Sequence, residues 1–210
     1  MNPFAALPWA QKWMIGILAV AVVAANIDQP YPELAPLQHA PTVALIFAAP
    51  WLLKWWPMSN RSVALILIFL LLHTLAGRYI YSYVPYDEWV RDMTGTDISS
   101  ALGWKRNGFD RLVHFAFGLL LTLPFAEMAW RHANLTRRAA FFLGFALVGL
   151  VSAIYEIFEW LLTIVAAGDM ADYYNGQQGD MWDPQKDMVA ALLGSLLTIL
   201  IIWARRMLRR

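Results

Sequence analysis

The sequence AAFFLGFALVGLVSAIYEIFEWLLTIVAA, residues 139–167, decides the fold class. A transmembrane helix needs about 20 predominantly apolar residues, and this stretch exceeds that length. Its only charged residues are Glu156 and Glu159. An ionisable side chain at the centre of a spanning helix costs about 2.5–3.5 kcal/mol on insertion scales, so it usually faces a bundle interior or a site. The stretch therefore predicts a transmembrane helix with two inward-facing carboxylates.

The composition of the whole chain agrees with a membrane protein. Hydrophobic residues make up 60% of the 210 residues and charged residues 15%, against about 45–50% and about 25% in soluble domains. Further apolar stretches predict spans at 9–25, 42–56, 63–84, 112–130 and 188–203. The second is short and contains Pro50, so we expect it to be kinked or to begin earlier, near Gln38. The fold predicted is an all-α, polytopic six-helix transmembrane bundle, forming one domain over residues 1–210.

Net charge and cysteine content exclude other classes of protein. The formal net charge is only +1, which argues against nucleic acid as a partner. The chain has no cysteine, so disulfides and thiolate metal sites are absent. Membrane lipids are the partners that this composition predicts.

Charged residues are divided unequally between the two sides of the predicted bundle. When the connections are assigned to alternate sides, one side receives one acid, Glu127, and a large basic set. That set is Lys12, Lys54, Arg61, Arg131, Arg137, Arg138, Arg205, Arg206, Arg209 and Arg210. Because cytoplasmic loops are enriched in Lys and Arg, we predict cytoplasmic N- and C-termini. The outer loops are then residues 26–41, 85–109 and 168–187, and the second is expected to contain a short interfacial helix.

Polar residues recur at helical spacing on the fifth predicted helix. Gly149, Ser152, Glu156, Glu159 and Thr163 are separated by three or four residues and share one face. We expect both carboxylates to lie in the outer half of the membrane and to point into the bundle.

Two other predicted helices begin with acidic or histidine pairs. Asp110 and His114 are four residues apart at the start of the fourth helix, and Asp183 and Asp187 have the same spacing at the start of the sixth. Residues at this spacing share a helix face. Pro184 suits a first helical turn, so Asp183 is also expected to be an N-cap. Since the three helices place these groups toward the outer face, we expect them to meet.

Such a cluster suits a divalent metal ion. Carboxylate and imidazole ligands bind hard or borderline cations, and crowded carboxylates in low dielectric need a cation or shared protons. A bound cation would activate water for hydrolysis. The candidate metal ligands are Asp110, His114, Glu156, Glu159, Asp183 and Asp187, and the catalytic candidates are Glu156 and Glu159, one as general base. The candidates for holding an anionic substrate group are Arg78, Arg111 and His73.

Structural explanations compete with these assignments. Asp183 is equally well explained as a helix cap, and His73 as a buried, hydrogen-bonded histidine. Asp110 and Asp187 are also explained as ordinary interfacial charges beside Arg111 and Lys186. The glutamates Glu156 and Glu159 would, in a structural role, pair with arginine or histidine to join helices.

Three ordered blocks of sequence carry a family resemblance. They are Asp110-Arg111-x-x-His114-Phe115-x-x-Gly118, Tyr155-Glu156-x-x-Glu159-Trp160 and Gly179-Asp180-x-Trp182-Asp183-x-Gln185-x-Asp187-Met188. Together they resemble the YjdF family of bacterial inner-membrane proteins over nearly the whole chain. This family is a domain of unknown function, so the resemblance implies a location and little chemistry.

A more distant resemblance concerns the order of the acidic groups. The chain contains, in this order, an Asp-x3-His motif, a glutamate and an aspartate that lies seven residues before a glycine (Asp187 and Gly194). This order is similar to that of VanZ-like proteins, which are linked to glycopeptide resistance and the cell envelope. The chain lacks the Glu-x-x-Gln and Arg elements of that group.

The leading hypothesis is a divalent-metal-dependent hydrolase of the inner membrane, acting on a lipid-linked, anionic or cell-envelope substrate at an outward-facing acidic and histidine site. The competing hypotheses are a proton- or cation-coupled transporter that uses the glutamate pair, and a non-catalytic structural membrane protein.

Overall fold

The computed structural model describes residues 2–165 and 178–208, and within them all regular secondary structure is helical. The helices are α1 Trp9–Ala25, α2 Ala35–Trp55, α3 Asn60–Arg78, α4 Tyr86–Thr94, α5 Ile98–Leu102, α6 Phe109–His132, α7 Arg137–Val165 and α8 Asp183–Met207. Four of them (α3, α6, α7 and α8) are long and apolar enough to cross a membrane, and α1 is a shorter apolar helix of 17 residues. The protein is an all-helical membrane protein, as its composition predicts.

Several helix bounds differ from the sequence prediction. Helix α2 begins at Ala35, before Gln38, and contains both Pro41 and Pro50. Residues 35–41 therefore belong to a helix, and so do residues 183–187, which the predicted outer loops included. Segment 85–109 contains α4 and α5, so the prediction of a short helix there is confirmed. Residues 166–177, which include the predicted end of the fifth span and the first half of loop 168–187, lie outside the described residues.

Helix α3 ends six residues before its predicted end at residue 84. Ile80 and Tyr81 follow it with φ of 41° and 60°, a left-handed conformation that is uncommon for residues other than glycine. Ile80 and Val84 are nevertheless buried, each 1% exposed. The apolar signal after Arg78 comes from a packed loop, and hydropathy does not distinguish such a loop from a continuing helix.

Helix α6 lies at the centre of the bundle. It packs against α3, α7 and α8. Of its apolar 18-residue stretch, 50% is buried inside the bundle, against 28% for the corresponding stretch of each of the other three spans. At the α6–α8 crossing, Gly118 and Gly194 bring the two backbones together, and Thr122 Oγ1 lies 2.6 Å from Ser195 Oγ. Small residues allow this close approach between membrane helices.

A buried carboxylate anchors the C-terminal end of α6. Glu127 is 3% exposed and accepts hydrogen bonds from the Ser59 backbone N–H at 2.7 Å and from the hydroxyls of Ser59 and Ser62. Arg131 Nε lies 2.7 Å from the same carboxylate. These contacts attach the turn between α2 and α3 to α6.

Candidate metal centre

Three membrane helices bring acidic and histidine side chains to one end of the bundle, which we call the site end. Helices α6 and α8 begin there and α7 ends there. The exposed fractions are 8% for Asp110, 6% for Glu156, 2% for Asp183 and 4% for Asp187, and the His114 side chain is 12% exposed. Acidic residues are seldom this buried unless they are paired or bind a ligand.

These five residues form two overlapping groups. His114, Glu156 and Asp187 offer ligand atoms that all lie within 4.8 Å of one another, and Asp110, Asp183 and Asp187 do the same. Asp187 belongs to both groups, so the five side chains form one continuous cluster. The structure thus brings together five of the six predicted metal ligands.

The first group contains buried oxygen atoms without hydrogen-bond partners. His114 Nε2 lies 3.5 Å from Glu156 Oε1, and Arg111 Nε lies 3.8 Å from Asp187 Oδ1. Within the described residues, Glu156 Oε1, Asp187 Oδ1 and Asp110 Oδ1 are buried and accept no hydrogen bond. Leaving a buried acceptor unsatisfied costs about 1–3 kcal/mol, and more when it is charged. A ligand with positive charge would satisfy all three atoms.

The second group is paired with two arginines. Arg106 Nη2 lies 3.0 Å from Asp110 Oδ2, and Arg106 Nη1 also bonds Asp183 Oδ1. Arg111 Nη2 lies 2.9 Å from the same Asp183 oxygen and 2.6 Å from Asp180 Oδ2. Most of the positive charge at the site end is thus directed at Asp110, Asp180 and Asp183, away from the group that contains His114.

Arg106 is the principal site residue that the sequence analysis missed. It lies just before α6, four residues ahead of Asp110, which is the spacing that identified the Asp110–His114 pair. The loop around it is held by Asn107, whose N–H donates to Gln178 Oε1 at 2.9 Å and whose carbonyl accepts from Gln178 Nε2 at 3.1 Å. Extending the polar stripe one turn backward from Asp110 would have found this arginine.

Asp180 organises the loop that leads into α8. Its carboxylate lies 2.6 Å from Lys186 Nζ and accepts a hydrogen bond from the Trp182 N–H at 3.1 Å. The hydrogen bond from Lys186, together with that from Arg111, holds the pKa of Asp180 well below its usual range. Asp183 was expected to cap α8, and this was wrong: α8 begins at Asp183 and has no side-chain cap hydrogen bond. The Asp183 side chain faces Arg106 and Arg111 instead.

The predicted polar stripe on α7 also includes Glu159, Thr163 and Ser152. Glu159 is half-buried, belongs to neither group of ligand atoms among the described residues, and is hydrogen-bonded to the Tyr155 side chain. The side chain of Thr163 lies outside the described residues. Ser152, on the same face, is buried at 2% exposure.

The structure places Arg78 and His73 in other surroundings than the carboxylate cluster. Arg78 Nη1 donates to the carbonyls of Ala25 and Ile27 at 2.9 and 2.8 Å, and its Nη2 donates to the carbonyl of Asp28 at 3.1 Å. It therefore caps the end of α1, because the last carbonyls of a helix lack intrahelical partners. His73 Nε2 lies 3.2 Å from the Gln38 carbonyl, and its Nδ1 bonds the Tyr81 hydroxyl.

Two cavities adjoin the cluster. The larger, which we call the outer chamber, has a volume of about 820 Å³, and its wall includes Tyr86, Trp104, Lys105, Arg106, Arg111 and Asp180. The smaller, which we call the inner chamber, has a volume of about 250 Å³, and its wall includes Phe69, His73, His114, Phe117, Val151 and Tyr155. The arginines that bind Asp183 thus line one chamber, and the histidine next to Glu156 lines the other.

Comparison with known proteins assigns this bundle to a family. Residues 10–209 match the family described as "Predicted membrane protein (DUF2238)". The chain belongs to the DUF2238 family. This member is also 35% identical, over 148 residues, to the inner membrane protein YjdF of Escherichia coli (strain K12). The alignment covers 70% of the present chain and 66% of the length of YjdF.

These matches establish where this DUF2238 protein resides. Its relative is an inner membrane protein, and the chain has several helices able to cross a membrane. It is a multi-pass protein of the bacterial inner membrane. The family resemblance predicted from the three sequence blocks is confirmed. No solved structure matches the chain.

Proposed function

We propose that this protein is a divalent-cation-dependent hydrolase whose cation is bound by His114, Glu156 and Asp187. The observation that carries the proposal is the pair of buried carboxylate oxygens on Glu156 and Asp187 that accept no hydrogen bond and lie beside the His114 imidazole. The substrate is a lipid-linked or cell-envelope molecule, because the site lies among membrane-spanning helices of an inner-membrane protein.

The distance between His114 and Glu156 supports a shared cation. With ligand bonds of about 2.1 Å, two donor atoms of a tetrahedral site lie roughly 3.4 Å apart. His114 Nε2 and Glu156 Oε1 are 3.5 Å apart, which is long for a hydrogen bond and suitable for two ligands of one ion. Three protein ligands leave a position for water, as in catalytic zinc sites.

The composition of the group limits the cation. One imidazole and two carboxylates suit zinc, manganese or ferrous iron, and the absence of cysteine disfavours cations that require thiolates. A divalent cation bound here would polarise a substrate oxygen and activate a water molecule.

The remaining residues receive supporting roles. Asp110 and Asp183 hold Arg106 and Arg111 in position through the ion pairs described above. Arg111, with Arg106, binds the anionic part of the substrate, since a guanidinium fits phosphate or carboxylate oxygens in a bidentate manner. Glu159, one turn from Glu156 on α7, is the general base.

We also propose a six-span, single-domain topology with cytoplasmic termini, so that the site end faces the periplasm. The basic turns before α3 and after α6 adjoin each other, since His132 Nε2 lies 3.1 Å from the Pro57 carbonyl and Glu127 links Ser59 to Arg131. An excess of Lys and Arg marks the cytoplasmic side of a membrane protein.

The test is metal analysis of detergent-purified protein. We expect about one equivalent of bound Zn²⁺ or Mn²⁺ in the wild-type protein, and a loss of at least tenfold in affinity for Glu156→Gln and Asp187→Asn. Asp92→Asn, which neutralises an exposed carboxylate on α4, is the matched control and should bind metal as the wild type does.

Three results would contradict the proposal. Wild-type protein that binds no metal above the level of Glu156→Gln would exclude the cation. Two equivalents per chain would show that Asp110 and Asp183 are metal ligands rather than partners of arginine. A proton or cation flux in liposomes that Glu156→Gln abolishes, without any metal binding, would favour transport.

A further inference from the structure

The two chambers differ in chemical character, and each has in its wall a residue of the carboxylate cluster or an arginine bound to it. Lys105, Arg106 and Arg111 lie in the wall of the outer chamber, where Asp180 is the acidic residue among the lining side chains that the structure describes. Tyr86 and Trp104 line the same space. A basic wall with aromatic side chains suits an anionic, partly apolar group.

The inner chamber is apolar and lies at the depth of the membrane-spanning helices. Its described lining residues come mostly from α3, α6 and α7 and include no Asp, Glu, Lys or Arg. Val151, on its wall, is 39% exposed. An alkyl chain is the occupant that such a wall favours, because it offers apolar contact and few hydrogen bonds.

The cluster adjoins both spaces through its neighbours. Arg111 lines the outer chamber and bonds Asp183, while His114 lines the inner chamber and adjoins Glu156. Asp187 lies within 4.8 Å of ligand atoms of both groups. A molecule with its anionic head in the outer chamber and its chain in the inner chamber would place the bond between them at the cluster.

We infer that the substrate is a phosphate ester of a long-chain alcohol, with the phosphate held by Arg106, Arg111 and Lys105 and the alkyl chain in the inner chamber. This inference rests on the proposed hydrolase function and specifies its substrate class. In the reaction, a water oxygen forms a bond to phosphorus and the bond from phosphorus to the alcohol oxygen breaks. Glu159 accepts a proton from the water, the alcohol oxygen takes up a proton, and the phosphate leaves through the outer chamber.

The test uses dodecyl phosphate, added to Mn²⁺-loaded protein in a neutral detergent, with inorganic phosphate and dodecanol as separate probes. A ligand that binds only the folded protein raises the temperature of unfolding. We expect dodecyl phosphate to bind at least tenfold more tightly than either of the other two. Equal binding of dodecyl phosphate and inorganic phosphate would mean that the site takes free phosphate only, and would overturn the inference.

Two pairs of variants test the two chambers separately. Lys105→Glu should weaken dodecyl phosphate binding at least tenfold, whereas Lys54→Glu, the same charge change on α2, should leave it unchanged. Val151→Trp should weaken binding of dodecyl phosphate and not of inorganic phosphate, whereas Ile154→Trp, on the lipid-facing side of the same helix and 55% exposed, should have no effect. If Val151→Trp and Ile154→Trp behave alike, the inner chamber does not hold the chain.

Mn²⁺ binding separates the failure of this inference from that of the proposed function. It should be unchanged in Lys105→Glu and Val151→Trp, because neither residue belongs to the ligand groups. If wild-type protein binds Mn²⁺ but does not prefer dodecyl phosphate, the proposed cation site stands and the substrate class is rejected. If wild-type protein binds no Mn²⁺, the proposed function itself is rejected.

Discussion

Gly118 on α6 and Gly194 on α8 lie at one crossing point, each against the backbone of the opposite helix. A Cβ atom added to Gly118 would overlap the Ala191 carbonyl, and one added to Gly194 would overlap the Phe115 carbonyl. A backbone cannot move aside as a flexible side chain can, so neither position has space for a larger residue. The crossing lies about one turn from His114 and about two turns from Asp187, so it also sets the separation of the helices that carry these two residues.

Replacing either glycine should therefore destabilise the protein. We expect Gly118→Ala and Gly194→Ala each to lower the free energy of unfolding by about 1–3 kcal/mol or more, as for other overpacked interfaces. The measurement is thermal unfolding in detergent. The control is Gly16→Ala on α1, where an added Cβ meets no atom within 4 Å and alanine should be neutral or slightly stabilising. Equal stability of all three variants would show that α6 and α8 are not this close.

Arg78 is predicted to stabilise the fold without contributing to metal binding. Because its guanidinium donates to three carbonyls at the end of α1, Arg78→Gln should lower the free energy of unfolding by about 1–3 kcal/mol. Arg91→Gln removes an exposed ion pair with Asp97 and should change the stability much less, because solvent screens such a pair. Both variants should bind Mn²⁺ like the wild type. A loss of Mn²⁺ binding in Arg78→Gln alone would show that Arg78 belongs to the candidate site.

The cap of α5 should respond to acid at low pH. Asp97 accepts hydrogen bonds from Ser100 and from Arg91, which lower its pKa from 3.8 to about 2. A carboxylate whose pKa is lower in the folded state stabilises that state above its unfolded pKa, and the contribution is lost as the pH falls through the folded value. The stabilisation of α5 should therefore be complete above about pH 4 and should disappear toward pH 2.

Hydrogen exchange of residues 95–103 measures this effect. Asp97→Asn imitates the protonated side chain, so wild type and variant should differ in protection above about pH 4 and converge toward pH 2. Comparison at the same pH removes the pH dependence of the intrinsic exchange rate. Asp92→Asn, on the exposed surface of α4, should show no such convergence. A difference between wild type and Asp97→Asn that persists below pH 2 would show that charge is not the cause.

The orientation in the membrane can be tested with single cysteines, because the chain has none of its own. Met93 is 77% exposed on α4, and Ala133 is exposed after α6. In the proposed topology, Met93→Cys faces the periplasm and should react with a membrane-impermeant maleimide in intact cells. Ala133→Cys should react only after the inner membrane is opened. The reverse pattern would invert the topology and place the site end in the cytoplasm.

Local spacing made part of the site predictable. The pairs Asp110–His114 and Asp183–Asp187 are each four residues apart, and in the structure the three aspartates are buried and His114 is 12% exposed. The choice of Glu156 followed from the cost of a carboxylate in a spanning helix, and the same argument does not separate it from Glu159. Local spacing does not tell which helices are neighbours. The proximity of Asp187 to both His114 and Asp110 could therefore be seen only in the structure.

The errors also have physical causes. Arg106 lies in the loop before α6, one turn ahead of the stretch in which the polar stripe was sought, and this loop is held by the contacts of Asn107 with Gln178. Arg78 looked like a substrate ligand because it is charged and near the outer face, but helix ends also need donors. The end of α3 was placed too late because Ile80 is buried in a loop with left-handed backbone, and its side chain gives no sign of that conformation.

The chain order of the cluster has a consequence for how the protein is made. Asp110 and His114 are synthesised first, Glu156 follows, and Asp183 and Asp187 are supplied by α8, after the other helices described. When α7 enters the bilayer, Glu156 has the imidazole beside it and neither aspartate of α8. Insertion of α8 completes the cluster, so the proposed cation site would form only after α8 has entered the membrane.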